Sequence, residues 1–487
     1  MLHIKDSNKL FEFKDYFKSP TKAFSNIVDI FGVFSLSSIT RDVFGFKSKG
    51  YSPILLLQML ILSPFLGATN IHNLFDTYYQ LFYKGKKDSL YDILRNNKIN
   101  WRGLLFNFAK QFIKKSKQKW DRTEATFFIA DDSDLEKRTP FFEGIGKVFN
   151  HVIQKHVFAY KLLALGYSDG KSFIPLDFSL HNEKGKNKNY GLTKKQRKQQ
   201  YKKKRNNETH GAKRKTEIRI QKGKNLIKMV KRAVKHGIIA DYLLTDSWFM
   251  SEDMINNIRK IKNGAIHIIS MCRMDKRKYT YEDNSYNGKE LLRYMKQDKG
   301  NIKRSRKHKL KYIAVDVDYK GFKVKLFFIR LSKRSKWRLL TTTNTSLSFI
   351  KAFEFYANRW AIEVFFKESK QLLGLGKNQS RDFDAQIAST TISFIQYIIL
   401  ATHKRANEYE TLGGIFRGTK ENIAEQVFSD RVIILISDII SFLVDLLDLS
   451  MDVEKLISRI IEKTDLQLKI SLVFSTPDYK GGIKNTA

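Results

Sequence analysis

Over about the first 120 positions, apolar residues return at helical spacing (Ile54, Leu57 and Ile61, then Leu74, Tyr78 and Leu81) and β-branched runs are few. A helical N-terminal region is therefore predicted. The pattern then changes to short apolar runs of strand length, Phe127 to Ala130, Val157 to Leu165 and Phe173 to Phe178, with Ser168, Asp169 and Gly170 turning between the last two. Helical period resumes at Ile220, Leu226, Ile227, Val230 and Val234 and stops near Gly237. A buried-type strand at Tyr242 to Leu244, an amphipathic helix from Ser251 to Ile261 and a strand from Ala265 to Met271 follow. Between Cys272 and Trp337 lies a stretch rich in Tyr, Asp and Lys with strand patterns at Tyr312 to Val317 and Val324 to Ile329, read as a β-rich insertion. The run from Trp337 to Leu340 reads as a core strand. One long helix is then predicted from near Ser346 to Leu373, stopped by Gly374 and Gly376.

Strand, hairpin, helix, strand, helix, strand is the order of an RNase H-like domain. The expected fold is thus α/β, an RNase H-like mixed-sheet catalytic core with a β-rich insertion, flanked by helical N- and C-terminal regions. The boundaries fall at 1–120 for a helical N-terminal DNA-binding region, 121–271 and 336–405 for the core, 272–335 for the insertion and 406–487 for a helical C-terminal region, for which dimerisation is the open role. Neither apolar stretch reads as a membrane span: Ile54 to Leu66 is broken by Gln58, Ser63 and Pro64, and Val432 to Leu449 carries Asp438, Asp445 and Asp448. A soluble protein with no membrane partner is expected.

Charge points to the partner. Lys plus Arg number 89 against 49 Asp plus Glu, a formal charge of +40, and such an excess usually serves a polyanion, nucleic acid first among them. A merely basic or ribosome-associated protein is the plainer reading. The excess is densest from Lys184 to Lys215, which holds 14 Lys or Arg residues and one acid, Glu208. This segment is either a solvated, disordered loop or a direct DNA contact. The single cysteine, Cys272, allows no internal disulfide and no cysteine zinc site. His151 and His156 lack a third ligand and are read as ordinary residues.

Metal-assisted phosphodiester chemistry needs carboxylates that converge on divalent ions. Asp131 follows the strand run Phe127 to Ala130, and Asp246 follows Tyr242 to Thr245, so each would emerge at a strand's carboxyl end. Taken singly, such acids are equally helix caps or turn residues. On a continuous helix, Tyr356, Arg359, Glu363 and Lys370 would fall within an arc of about 60° and share one stripe. An acid flanked by Arg and Lys suits a metal ligand between phosphate contacts; an ordinary i,i+4 pair of Arg359 with Glu363 is the alternative.

The segment from Tyr356 to Lys370 resembles the signature Y-x2-R-x3-E-x6-K of insertion-sequence transposases of the DDE type, the insertion-sequence-four (YREK) family, including its Arg-Trp-x-Ile-Glu and Leu-Gly-Leu surroundings. The run Thr245, Asp246, Ser247, Trp248, Phe249 is similar to that family's second acidic motif, and Ile129 to Ser133 to its first. Asp131 and Asp132 compete for the first acid; Asp131 leaves Ser133 at the family's Ser/Thr position. The resemblance implies that Asp131, Asp246 and Glu363 are catalytic and hold two Mg2+ ions, with Mn2+ able to substitute. It implies that Tyr356, Arg359 and Lys370 bind DNA by gripping phosphates at the cleaved end. The implied partners are double-stranded DNA, both transposon terminal repeats and target, and a second copy in a homodimeric synaptic complex, in a bacterial cytoplasm at the nucleoid. A non-catalytic DNA-binding descendant and an RNase H-like nuclease without strand transfer are the alternatives.

Overall fold

The computed structural model describes residues 34, 36–44, 51–65, 68, 70–74, 86–119, 124–150, 153–185, 187–407 and 412–417. Residues 29–416 form one compact unit. Most of the region 406–487, with the helix expected at Val432 to Leu449, lies outside the described residues, as does His151.

The described residues before position 120 form helices, α1 (Leu36–Phe44), α2 (Pro53–Leu62), α3 (Ile71–Leu74), α4 (Asp88–Arg95) and α5 (Trp101–Lys119), and Tyr78 and Leu81 lie outside the described residues. Pro53 opens α2, where its missing N–H costs nothing. Leu56, Leu57, Met59, Leu60 and Ile61 are all buried there, so the apolar run is a core helix.

The central sheet grows from β1 (Phe127–Glu136), β2 (Gly146–Asn150), β3 (Lys155–Ser168) and β4 (Phe173–His181). β3 pairs antiparallel with β1 on one side and with β2 and β4 on the other. The basic segment then contributes α6 (Lys194–Gln199) and α7 (His210–Thr216), followed by α8 (Lys222–Lys235), β5 (Tyr242–Thr245), α9 (Glu252–Arg259) and β6 (His267–Cys272). β5 runs parallel to β1, and β6 parallel to β5. The order β4-β3-β1-β5-β6 is the RNase H-like mixed sheet that the order of patterns predicts.

The insertion does not stand apart. β7 (Lys278–Tyr281), β8 (Asn284–Asn287), α10 (Gly288–Met295), β9 (Lys303–Ser305), β10 (Leu310–Tyr319) and β11 (Phe322–Arg330) lead to β12 (Arg338–Thr342), which pairs with both β11 and β6. The core and the insertion thereby form one 12-stranded sheet among the described residues. The β10–β11 hairpin turns at Lys320 and Gly321, both at positive φ (56° and 81°), the conformation a two-residue hairpin loop requires.

After β12 come α11 (Phe349–Ala357), α12 (Trp360–Leu372) and α13 (Phe383–Asn407). α13 is long and apolar enough to cross a bilayer, yet 94% of its most apolar window is buried. Gln396 within it donates to the carbonyls of Leu60 and Ile61 at the end of α2, at 3.2 and 3.0 Å. It is a core helix that ties the N-terminal helices to the sheet.

The one long helix expected from Ser346 to Leu373 is two helices. At the junction the N–H groups of Asn358, Arg359, Ala361 and Ile362 each bond three residues back, a 3₁₀ tightening of the chain. The Asn358 side chain donates to the carbonyls of Glu354 and Phe355, both at 3.2 Å, and satisfies acceptors that α11 leaves open.

Candidate active site

β1 and β5 pair only as far as Ile129 and Leu244. Asp131 stands two residues beyond that last pair and Asp246 directly after β5. Both carboxylates therefore open into the crevice at the carboxyl ends of parallel strands, where α/β sheets hold their ligands. The sequence pattern predicts that Asp131 ends its strand, and it does not. β1 continues to Glu136 because the longer β3 keeps pairing with it as far as Glu136 opposite Ala159, so the crevice opens on the β5 side alone. The Trp248 N–H donates to Asp246 Oδ1 at 3.0 Å, and Ser270 Oγ on β6 lies 3.0 Å from the Asp246 carbonyl oxygen. These contacts fix the second acid.

The α11–α12 junction lies over this crevice. Arg359 donates to Asp131 Oδ2 at 2.7 Å and also pairs with Glu363, one turn along α12. One guanidinium thus joins a strand acid to a helix acid. Lys370 Nζ donates to Ser133 Oγ at 2.7 Å, the hydroxyl two residues after Asp131 on the same strand. Tyr356 sits beside Asp246 and the backbone of Met271, with the Arg359 guanidinium 5.9 Å from its ring centre. All six residues singled out in the sequence come together here, although the helix that was to carry four of them is broken between Tyr356 and Trp360.

The electrostatics are those of crowded acids with little compensation. The Asp131 carboxyl is pushed up to about 7, first by burial and then by Asp246 and Asp132, against the opposing pull of Arg359 and the Asp132 N–H. Burial also raises Asp246, with Asp132 adding to it and Trp248 N–H, Arg359 and Lys222 opposing. The Tyr356 phenol is pushed up to about 12 by burial, and burial lowers the Lys370 ammonium. For Arg359 burial pulls down, but Tyr356, Asp131 and Glu363 together carry the guanidinium above its usual value.

Asp132, the competitor, alternates to a different partner, Lys222. The Lys222 ammonium lies 4.5 Å over the ring of Trp248, which is 47% exposed. Lys222, Trp248 and Ser270 were not singled out from the sequence. Trp248 carried a signal, as a neighbour of Asp246 within its motif; Lys222 and Ser270 carried none, because their roles depend on how α8 and β6 pack.

Among the described residues, no three His, Cys, Asp or Glu side chains are gathered closely enough to hold a metal ion; Arg359 stands between Asp131 and Glu363. The donor chemistry nonetheless fits a hard divalent cation, because the three acids offer only carboxylate oxygen. The Asp131 and Asp246 carboxyls, both raised by burial, are also short of positive charge.

The fold defines the class first: an RNase H-like α/β protein with its acids at the carboxyl ends of parallel strands. Residues 183–399 match the family described as the Transposase DDE domain. That match supports a DDE-type transposase in general, an enzyme with DNA as its partner and with the divalent metal that this family generally uses. The match begins beyond β1, so it takes in Asp246 and the span from Tyr356 to Lys370 and leaves Asp131 outside. No curated protein matches the chain.

Proposed function

We propose that this protein is a DNA transposase of the insertion-sequence-four type, which cleaves the ends of an insertion sequence and joins the freed 3′ hydroxyls to target DNA. The observation that carries the reading is the Arg359 bridge: the helix signature and the β1 acid Asp131, 228 residues apart in sequence, meet at 2.7 Å. Asp131, Asp246 and Glu363 would hold the metal, Mg2+ or Mn2+, which would supply Lewis-acid stabilisation of the charge on the attacking and leaving oxygens.

The chain's own groups do the rest. Arg359 offsets the carboxylates while no other cation is present, and its planar fork then suits a phosphate bidentately. Tyr356, with its phenol held near 12, stays protonated at neutral pH and offers a hydroxyl donor to a phosphate oxygen. Lys370 brings a partly desolvated point charge next to Ser133. A homodimer, each copy holding one terminal repeat, is the assembly in which two ends are cut together.

The test is a gel assay of first-strand nicking, second-strand release and strand transfer on DNA carrying the element's own end. Glu363→Gln is expected to stop every step, whereas Arg359→Ala and Lys370→Ala weaken handling of the cleaved end by about 1.5 to 3 kcal/mol each, the scale of a charged hydrogen bond. An ion pair of purely structural kind, worth about 0.3 to 0.5 kcal/mol, would leave cleavage nearly unchanged in all three. Normal nicking by a folded Glu363→Gln protein would overturn the proposal.

A further inference from the structure

The basic segment after β4 is not the disordered loop that its charge allows. It is folded and anchored from within. Thr193 caps α6 in a capping box with Gln196. The Gln200 side chain donates to the carbonyls of Pro140 and Ile145 at 3.2 and 3.0 Å, and the Tyr201 N–H to that of Phe141 at 2.8 Å. Lys203 pairs with Asp382 and Asp384 at 3.0 and 2.9 Å, and Arg205 with Glu143 and Asp384 at 2.6 and 3.0 Å. The three acids are nearly fully buried. Lys203 and Arg205 are therefore used up inside the protein.

Their neighbours are not. Lys194, Lys195, Arg197, Lys198, Lys202 and Lys204 are all exposed, and among the described residues none is paired with an acid. Glu208, the segment's only acid, is taken by Lys213 at 3.3 Å. Holding six exposed cations together leaves repulsion that an external polyanion would relieve. The anchored segment holds them beside residues 140–145, on the chain that follows β1.

We infer that residues 194–204 form a preorganised clamp on the phosphate backbone of duplex DNA, anchored by Lys203 and Arg205. Five of its six free cations are lysines, point charges that contact phosphates rather than read base edges. The clamp binds without sequence preference. This inference takes its partner from the proposed function, but its test needs no cleavage.

Duplex binding is titrated against salt in metal-free buffer containing a chelator. Each phosphate contact contributes about 0.9 to the slope of log affinity against log salt. The quadruple variant Lys194→Gln, Lys195→Gln, Arg197→Gln, Lys198→Gln should reduce that slope by about 3 to 4. A control with four neutralised positions on the insertion, Lys276→Gln, Lys299→Gln, Lys303→Gln and Arg304→Gln, should reduce it by less than about 1. All eight positions are exposed, so both variants should melt like the wild type. An unchanged slope in the clamp variant overturns the proposal, and so does an equal fall in both variants, which would mean diffuse attraction to net charge. A protein that loses its slope in the clamp variant yet never cleaves keeps the clamp and loses the proposed function; one that cleaves with an unaltered slope does the reverse.

Discussion

On β4, Asp177 is gripped by three guanidinium groups, Arg102 at 2.8 Å, Arg232 at 2.7 Å and Arg214 at 3.5 Å; on β1, Asp131 pairs, among the described residues, with Arg359 alone. Both carboxyls are taken out of water, which by itself pushes each one up. At Asp177 the three arginines overwhelm that cost and hold the carboxyl below its usual range. Glu217 joins the same cluster through Arg102 at 2.8 Å, so the cluster sets three cations against two anions. At Asp131 the balance is reversed: Arg359 is shared with Glu363, Asp246 crowds in, and the carboxyl rises to about 7. Similar residues thus make a finished structural joint in one place and an unfinished one in the other. A buried acid left short of positive charge, in a crevice at strand ends, is where an external cation or a substrate is wanted.

The largest effect that separates the two clusters should be on chemistry. Asp246→Asn removes charge without changing shape, so cleavage is expected to fall at least about 100-fold while DNA binding and thermal stability stay near wild type. Retention of near-normal nicking in Mg2+ would take Asp246 out of the site. At the other cluster the effect should be on the fold. Asp177→Ala strands three arginines in a buried place and should cost about 3 to 5 kcal/mol, read as a shift in the urea midpoint. A loss below about 1 kcal/mol would mean that water reaches those arginines, and the contrast between the clusters would weaken.

The sequence carried these two regions unequally. The spacing from Tyr356 to Lys370 and the strand-end place of Asp246 were legible because they are local: a motif and an apolar run stand next to each other in the chain. The order of strands and helices was legible for the same reason, since each element shows its own period. The break at Asn358 was not, because every residue there keeps right-handed helical angles (φ −60°, ψ −18° at Asn358) and only the hydrogen-bond pattern changes. The continuation of β1 past Asp131 depends on the length of its partner β3, which lies elsewhere in the chain. The folded state of the basic segment depends on Glu143, Asp382 and Asp384, the latter two nearly 180 residues from the cations they hold. For the β4 cluster one signal existed: Asp177 is a lone acid in the strand Phe173–His181, all of whose residues are buried, and a buried acid demands partners. Which arginines answer it is a property of the packing.

The smallest expected effect, and the finest test of the comparison, is the pH dependence of stability at Asp131. Its carboxyl moves from an ordinary 3.8 in the unfolded chain to about 7 in the fold. Below about pH 4 it is protonated in both states. Between pH 4 and 7 the folded protein holds the proton that the unfolded chain has already released, so stability contributed at low pH is lost as pH rises through 7. Asp177, with its carboxyl held down, behaves in the opposite sense and contributes stability that is lost as pH falls. Asn mimics the protonated acid, so Asp131→Asn should gain on the wild type as pH is raised from 5 to 8. The full shift corresponds to at most about 4 kcal/mol. Loss of the Arg359 pair works against it, leaving a gain of about 1 to 3 kcal/mol at pH 8. The measurement is urea unfolding at both pH values in metal-free buffer. Mg2+ should then stabilise the wild type at pH 8 by mass action on the folded state and leave the Asn variant largely unmoved. If Asp131→Asn is instead less stable by the same amount at both pH values, Asp131 is a satisfied ion-pair acid like Asp177, and the charge deficit that marks this crevice as the reactive one is not there.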